Sequence, residues 1–363
     1  MIPASRQPMT VTPPGPPWPR TVPPWIILTV LLFLSPAGVM SQESNPWTHS
    51  FYFENDLFCG TDSNYTNGAK YSIISPDLSP SAGVSSGIPE KILEYIHRLP
   101  FISNTPKETA HKIEFSFGQN MYTPTDTSRS DLIPDDRPYA GWSYLSTSYH
   151  RKSRLENNRS IMDTVEIQLG MVGSASHAEE TQKRVHELRH LDIPQGWDHQ
   201  LANEPGIVLA FERKWLTHPT LANRTLGYDA ITHAGFAVGN VSTYANTGME
   251  VRLGWNIPET FGVSLIRPAG STRMDTHEKP GIYAMAALDS RLVIRDIFLD
   301  GNTFTDSHSV SKKPLTASVA YGLAFNYGPL MITLTEIRQS RTFDEQIKPH
   351  SYGALCASWF FSF

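Results

Sequence analysis

The stretch of residues 51–72 places carboxylate, amide and hydroxyl groups between two apolar runs. Asn55 and Asp56 end an aromatic strand pattern, and Thr66 lies at the start of a second strand pattern. Asp56 is a candidate ligand for a hard cation such as Ca²⁺, which prefers carboxylate, amide and carbonyl oxygens. Thr66 is a candidate nucleophile or hydrogen-bond donor. The competing interpretation is an ordinary β-hairpin with a polar turn, because Asn, Asp, Ser and Gly are common turn residues.

His186 is a candidate general base, because a histidine can accept a proton near neutral pH. Residues 179–191 have a helical pattern, so Gln182 shares a helix face with His186. A catalytic imidazole needs a partner that fixes its tautomer, and either Gln182 or Asp192 could be that partner. The alternative is a solvated surface histidine, since the chain has 13 histidines.

Three blocks of sequence resemble the lipid A 3′-O-deacylase (LpxR-type) family of outer-membrane proteins. They are END with YTNG in residues 54–68, DDRPYAGW in 135–142, and QKRVH in 182–186 followed by GWDHQL in 196–201. The resemblance covers essentially the whole chain after its N-terminal segment, and the three blocks occur in the family's order.

The resemblance implies an active site at the positions of Asn55, Asp56, Thr66 and His186. In the mechanism it implies, His186 activates a water, and a Ca²⁺ held by Asp56 polarises the ester carbonyl. Asn55 and Thr66 would contact the carbonyl or the oxyanion. The implied substrate is lipid A, from which the 3′-O-linked acyloxyacyl chain is removed.

Two positions depart from the family pattern. Arg129 stands where well-known relatives carry a Lys in the second extracellular connection, and it would supply a cation for a phosphate or an oxyanion. Arginine is not equivalent to lysine, because its charge is spread over a planar group. Asp192 stands where relatives carry a Glu six residues after the histidine, and its shorter side chain reaches less far.

The elements that must position these residues are strands. Twelve segments with a two-residue period predict an all-β fold, a twelve-stranded antiparallel transmembrane β-barrel of the outer-membrane type. Most segments have about 10 residues, the length that a tilted strand needs to cross a bilayer. The segments are residues 48–58, 67–76, 111–119, 140–150, 162–172, 207–216, 230–240, 245–255, 281–294, 315–327, 329–340 and 352–363. A helical pattern at residues 89–99 lies between the second and third strands.

Strand order predicts where the motifs meet. If both termini are periplasmic, the connections after strands one, three and five are extracellular. These connections are residues 59–67, 120–139 and 173–206, and they carry the three blocks of sequence. We therefore expect the candidate residues to converge on one rim, beside the lipopolysaccharide of the outer leaflet.

Composition limits the possible partners and compartments. The formal charge of −5 comes with no basic cluster, which argues against nucleic acid as a partner. Residues 1–41 have a basic, apolar and small-residue pattern that predicts a cleaved signal peptide, which leaves residues 42–363 as the barrel domain. Strand parity places Cys59 and Cys356 on opposite faces, so we expect two free thiols. We expect a monomer.

The sequence thus predicts a calcium-dependent esterase of the cell outer membrane, a multi-pass β-barrel that acts on lipid A in lipopolysaccharide. Two alternatives remain open at this point. One is an outer-membrane phospholipase, and the other is a porin or adhesin that keeps the barrel without catalysis.

Overall fold

The computed structural model describes residues 47–59, 64–78, 91, 94, 109–155, 159–221, 226–263, 265–271 and 279–361. The chain divides into two units, residues 1–44 and residues 45–363. The first unit contains the predicted signal peptide and lies outside the described residues. The fold below is that of the second unit.

Twelve antiparallel strands form a closed barrel, in which β12 returns to pair with β1. The strands are β1 (Trp47–Asn55), β2 (Asn64–Ile74), β3 (Thr109–Thr123), β4 (Ala140–Leu155), β5 (Arg159–Val172), β6 (Glu204–Leu221), β7 (Leu226–Gly239), β8 (Ser242–Trp255), β9 (Gly281–Asp296), β10 (Leu315–Tyr327), β11 (Leu330–Gln339) and β12 (His350–Phe361). The prediction of a twelve-stranded barrel is confirmed. β1 ends three residues earlier than predicted, because Asp56–Cys59 form a 3₁₀ turn.

Alternating side chains explain why these segments form a membrane barrel. In β3, Phe115 and Phe117 are about half exposed on the outer surface, whereas Glu114 and Ser116 are buried in the lumen. Successive residues of a strand point to opposite faces, and a membrane barrel places apolar residues outside. No helix among the described residues is long and apolar enough to cross a membrane.

The connection between β8 and β9 folds into the barrel, and we call its described residues 256–263 and 265–271 the luminal segment. Buried carboxylates of the wall accept hydrogen bonds from its main chain. The bonds run from Val263 N to Glu250 Oε2 (2.8 Å), from Ile266 N to Glu54 Oε1 (2.6 Å) and from Ala269 N to Glu166 Oε2 (2.7 Å). A buried carboxylate is costly unless it is hydrogen-bonded or paired. The wall and the segment therefore stabilise each other.

The connections that follow β1, β3 and β5 all lie at one end of the barrel, because neighbouring strands are antiparallel. We call this the distal end, since the N-terminus of β1 and the C-terminus of β12 lie at the other end. The connection after β5 contains helix α1 (Ala178–Arg189), and the connection after β9 contains helix α2 (Ile297–Asp300). The predicted convergence of the motifs and the predicted helix near residues 179–191 are confirmed.

Two further predictions from the sequence concern the two cysteines and a helix at residues 89–99. Cys59 and Cys356 are both free thiols, as strand parity predicts. The helix predicted at residues 89–99 lies outside the described residues, except for Lys91 and Glu94, which are both helical.

Candidate functional site

A β-bulge in β2 determines where Thr66 points. Tyr65 pairs with Tyr122 and Asn67 pairs with Met121, so Thr66 is the extra residue between two regular pairs. Tyr65 turns into the lumen, whereas Thr66 Oγ1 hydrogen-bonds Thr123 Oγ1 at 2.7 Å on the outer face. A bulge redirects a side chain in this way because it breaks the alternation of the strand.

Gly68 makes room for this inward turn of Tyr65. A Cβ atom at Gly68 would lie 2.0 Å from the Tyr65 hydroxyl oxygen. The Tyr65 ring also packs edge-on against the Tyr352 ring, at a centroid distance of 5.0 Å. The YTNG sequence therefore has a structural meaning: an inward aromatic residue, a bulged hydroxyl, an outward amide and a residue without a side chain.

Asn55 lies at the distal end of the same outer face, and Asp56 follows it directly in the chain. Asn55 continues the outward series of Phe51 and Phe53, and it lies directly opposite Asn67 in the ladder. Asp56 begins the 3₁₀ turn and is fully buried. Directly opposite residues of an antiparallel pair have Cβ atoms about 4.5–5.5 Å apart, so the two amides are neighbours.

These groups offer oxygen ligands of the kind that Ca²⁺ binds. Asp56 supplies a carboxylate, and Asn55 and Asn67 supply amide oxygens. No cluster of three or more His, Cys, Asp or Glu suited to a metal ion occurs among the described residues. The donor set therefore fits a weakly held hard cation with one carboxylate ligand and does not fit zinc.

His186 is buried on α1, and its Nδ1 lies 2.6 Å from the main-chain oxygen of Asp192. The carbonyl can only accept a hydrogen bond, so Nδ1 carries the proton and Nε2 is the nitrogen with the lone pair that a base uses. The contact forms because α1 ends at Arg189 and His190 adopts a left-handed conformation. The chain then turns back over the helix, with Leu191 N donating to His186 O at 2.9 Å.

The Asp192 side chain was one of two expected partners for His186, and the contact with the main chain corrects this expectation. The main-chain carbonyl of Asp192 orients His186, and the side chain of Asp192 is exposed. The shorter reach of an aspartate compared with a glutamate therefore has no bearing on this contact.

Gln182 lies on α1 one turn before His186 and is also buried. Its Oε1 accepts a hydrogen bond from Trp197 Nε1 at 2.8 Å. Its Nε2 has no hydrogen-bond partner among the described residues. Gln182 therefore ties the helix to the GWDHQL block and leaves one buried donor for another group.

Met121 connects the strand residues with the helix residues. It lies opposite Asn67 in the ladder, and it packs in a buried cluster with Tyr139, Ala178 and Trp197. The first turn of α1 therefore packs against the outer face of β2 and β3. The DDRPYAGW block supplies Tyr139 to this cluster, which explains why three distant blocks of sequence belong together.

Arg129 does not join this buried group. Its side chain is exposed, and its Nε donates to Asp131 Oδ1 at 3.0 Å. This hydrogen bond lowers the pKa of the Asp131 carboxyl to about 2. The guanidinium that is buried in the same connection is that of Arg137, which lies on the luminal side with Tyr122.

Asn67 and Trp197 belong to the site although the residue types alone did not single them out. Asn67 stands in the YTNG block, but its outward position depends on the bulge, which only the pairing with β3 shows. The role of Trp197 could not be found from the sequence, since a hydrogen bond from an indole to a distant amide depends on the folded loop.

A family model and a solved structure of that family agree with this architecture. A family model described as outer membrane protein LpxR matches residues 26–361. The structure of LpxR from Salmonella typhimurium superposes with a TM-score of 0.67 at 17% identity, covering 86% of this chain and 100% of that one. The β-domain of the Bordetella autotransporter Brka gives a TM-score of 0.41 at 8% identity, covering 88% and 99% of the two chains. No curated protein sequence matches the chain.

Proposed function

Because the chain belongs to the LpxR family of outer membrane proteins, we propose that it hydrolyses the 3′-O-linked acyloxyacyl chain of lipid A with the help of Ca²⁺. One observation carries the proposal. A buried histidine with its Nδ1 fixed by a main-chain carbonyl lies on a helix whose base packs on the wall that carries buried Asn55 and Thr66, and buried Asp56 follows Asn55 directly in the chain.

His186 would act as the general base. Its Nε2 takes a proton from a water molecule as the water oxygen attacks the ester carbonyl carbon. The Asp192 carbonyl accepts from Nδ1–H throughout, so it holds the ring and stabilises the imidazolium that forms. Return of the proton to the leaving oxygen completes the hydrolysis, giving a free fatty acid and a sugar hydroxyl.

Asp56, Asn55 and Asn67 would hold the cation on the outer face. A Ca²⁺ held by these residues would supply positive charge for the ester carbonyl oxygen and for the oxyanion. The Thr66 hydroxyl, paired with that of Thr123, and Gln182 Nε2, which has no partner in the described part of the chain, would be further donors for the same oxygen.

The position of the site favours a lipid over a soluble substrate. Asn55, Thr66 and Met121 belong to the outer face of the wall, which continues downwards into the apolar surface of the barrel. The luminal segment occupies space that a porin would keep open. A lipid in the outer leaflet could therefore present its ester to the site without leaving the membrane.

The test compares substrates and metal in one experiment. Detergent-purified protein is incubated with lipid A or with a glycerophospholipid, each in Ca²⁺ or in chelator, and the products are measured by mass spectrometry. We expect loss of the 3′ acyl chains from lipid A in Ca²⁺ only. Release of fatty acid from phospholipid alone would establish the phospholipase instead, and no product in any arm would remove the enzymatic assignment.

The metal is tested separately by binding. Asp56→Asn keeps the size of the side chain and removes its charge, so we expect Ca²⁺ titrations to show at least about tenfold weaker binding. Asp198→Asn makes the same charge change at an exposed position of the distal end and serves as the control. Equal Ca²⁺ affinity in wild type and Asp56→Asn would contradict the assignment of Asp56.

A further inference from the structure

A cavity in the lumen lies on the other side of the wall from the candidate hydrolytic site. Its volume is about 170 Å³, which leaves room for several waters or one polyatomic anion. The luminal segment lines one side through Phe261 and Arg267, and Arg137, Gln339 and Thr342 from the distal end line another. The cavity is thus placed to receive a solute or a polar headgroup from the distal end.

Arg137 is buried beside this cavity, with only 5% of its surface exposed. The guanidinium lies over the Tyr122 ring, 4.6 Å from its centroid, and Tyr122 stacks on Phe298 at 4.1 Å. One donor, Nη2, reaches Phe298 O at 3.4 Å, and Nε has no hydrogen-bond partner among the described residues. A buried charged donor without a partner is costly, so an acceptor is expected here.

Two other buried arginines of the lumen, Arg252 and Arg267, each donate two hydrogen bonds to one carboxylate, unlike Arg137. Arg252 donates from Nε and Nη2 to Asp229, at 2.7 and 2.6 Å. Arg267 donates from Nη1 and Nη2 to Glu212, at 2.6 and 3.0 Å. In the part of the chain that the structure describes, no carboxylate forms an ion pair of this kind with Arg137.

Two carboxyl groups, those of Asp296 and Asp136, and the Tyr122 phenol lie near Arg137. Burial lowers the pKa of the Arg137 guanidinium, and the charge of Asp296 opposes that shift most, followed by Tyr122 and Asp136. The Asp296 carboxylate accepts from Phe298 N at 3.0 Å. Asp136 accepts from the main-chain N of Arg137 at 2.8 Å. Both carboxylates therefore reduce the positive potential near Arg137. Their hydrogen bonds named here are to main-chain N–H groups and not to the guanidinium.

We propose that this luminal cavity is an oxyanion-binding site, in which Arg137 binds a phosphate or carboxylate group while Tyr122 holds the guanidinium plane. A planar guanidinium matches such groups through paired hydrogen bonds. The anion could be free in solution or could belong to an acidic sugar headgroup at the distal end. The site is separate from ester hydrolysis and does not depend on it.

Binding of inorganic phosphate to the detergent-solubilised full chain tests the proposal, measured by ³¹P nuclear magnetic resonance line broadening and by calorimetry. We expect wild type to bind phosphate in the millimolar range or tighter and Arg137→Met to bind at least about tenfold more weakly. Arg189→Met removes the same charge from an exposed arginine of the distal end, and it should bind like wild type. Wild-type protein without phosphate binding, or Arg137→Met with wild-type affinity, would overturn the proposal.

Asp296→Asn provides a second variant that keeps Arg137 in place. The amide oxygen still accepts from Phe298 N, but the opposing charge is gone, so phosphate should bind about two- to tenfold more tightly. Unchanged or weaker binding would contradict the proposed role of Arg137.

A comparison of sugar ligands identifies the source of the anion. Glucosamine 1-phosphate binding more tightly than inorganic phosphate would indicate a headgroup, and equal binding would indicate a free anion. Glucosamine binding as tightly as its phosphate would refute recognition of the charge.

Discussion

Among the individual residues, a main-chain carbonyl orients His186 and a β-bulge orients Thr66. Neither feature can be read from the residue types. The carbonyl of Asp192 fixes the His186 tautomer, and the bulge at Thr66 places its hydroxyl beside Thr123. The sequence identified His186, Asp56 and Thr66 from their chemistry and from the family resemblance. It could not assign Asp192 correctly, because a carbonyl oxygen is present at every position and leaves no mark on the residue type.

The first prediction concerns Asp192. Asp192→Ala should retain lipid A deacylation within about twofold of wild type, because the substitution keeps the main-chain carbonyl that accepts from His186 Nδ1–H. Initial rates of deacylation measured at equal amounts of folded barrel check this. A loss of tenfold or more would show that the carboxylate itself takes part, and the tautomer argument would then fail.

Among the elements, β2 and α1 were both predictable as secondary structure, but the features that place their side chains were not. Alternation along β2 made the strand predictable, but the bulge depends on the register with β3, which a single strand does not encode. The helix was predictable from its pattern. Its attachment through Gln182 and Trp197, on a wall shared with Met121, depends on contacts between distant segments.

The second prediction concerns the space that Gly68 leaves for Tyr65. Gly68→Ala should displace the Tyr65 ring and strain the bulge, at a cost of about 1–3 kcal/mol in stability. We also expect reduced deacylation, because Thr66 follows Tyr65 directly. The temperature at which the barrel loses its compact gel migration reports stability.

The double variant Tyr65→Phe/Gly68→Ala serves as the control for this steric argument. It removes the hydroxyl oxygen that would lie 2.0 Å from the new Cβ. Partial recovery of stability is expected. Equal stability of wild type and Gly68→Ala would contradict the close approach of Tyr65.

In the whole molecule, the outer face and the lumen of the barrel carry different groups. The outer face carries the candidate hydrolytic residues, and the lumen contains a chain segment held by wall carboxylates. The period of two and the segment lengths sufficed to predict twelve strands and the end at which the motifs meet. They did not predict the luminal segment, since its Pro- and Gly-containing sequence has no strand or helix period.

The third prediction concerns conductance. The full chain reconstituted in planar lipid bilayers should show no steady pore current, because the luminal segment fills space beneath the distal cavity and is bonded to Glu54, Glu166 and Glu250. Single-channel recording over a range of voltages measures this, with a porin as the positive control. Stable open-channel steps in most insertions would favour the porin alternative.

The central claim is that His186 is the base of an ester hydrolase on the outer wall. His186→Gln fills the same space without a proton acceptor of imidazole type, and loss of a positioned general base costs about 10²–10⁴-fold in rate.

The decisive measurement is mass spectrometry of lipid A after incubation with His186→Gln whose heat-modifiable migration shows an intact barrel. We expect lipid A to keep its 3′ acyl chains in this incubation, whereas wild type removes them in parallel. Removal of those chains by folded His186→Gln at the wild-type rate would show that His186 is not the base.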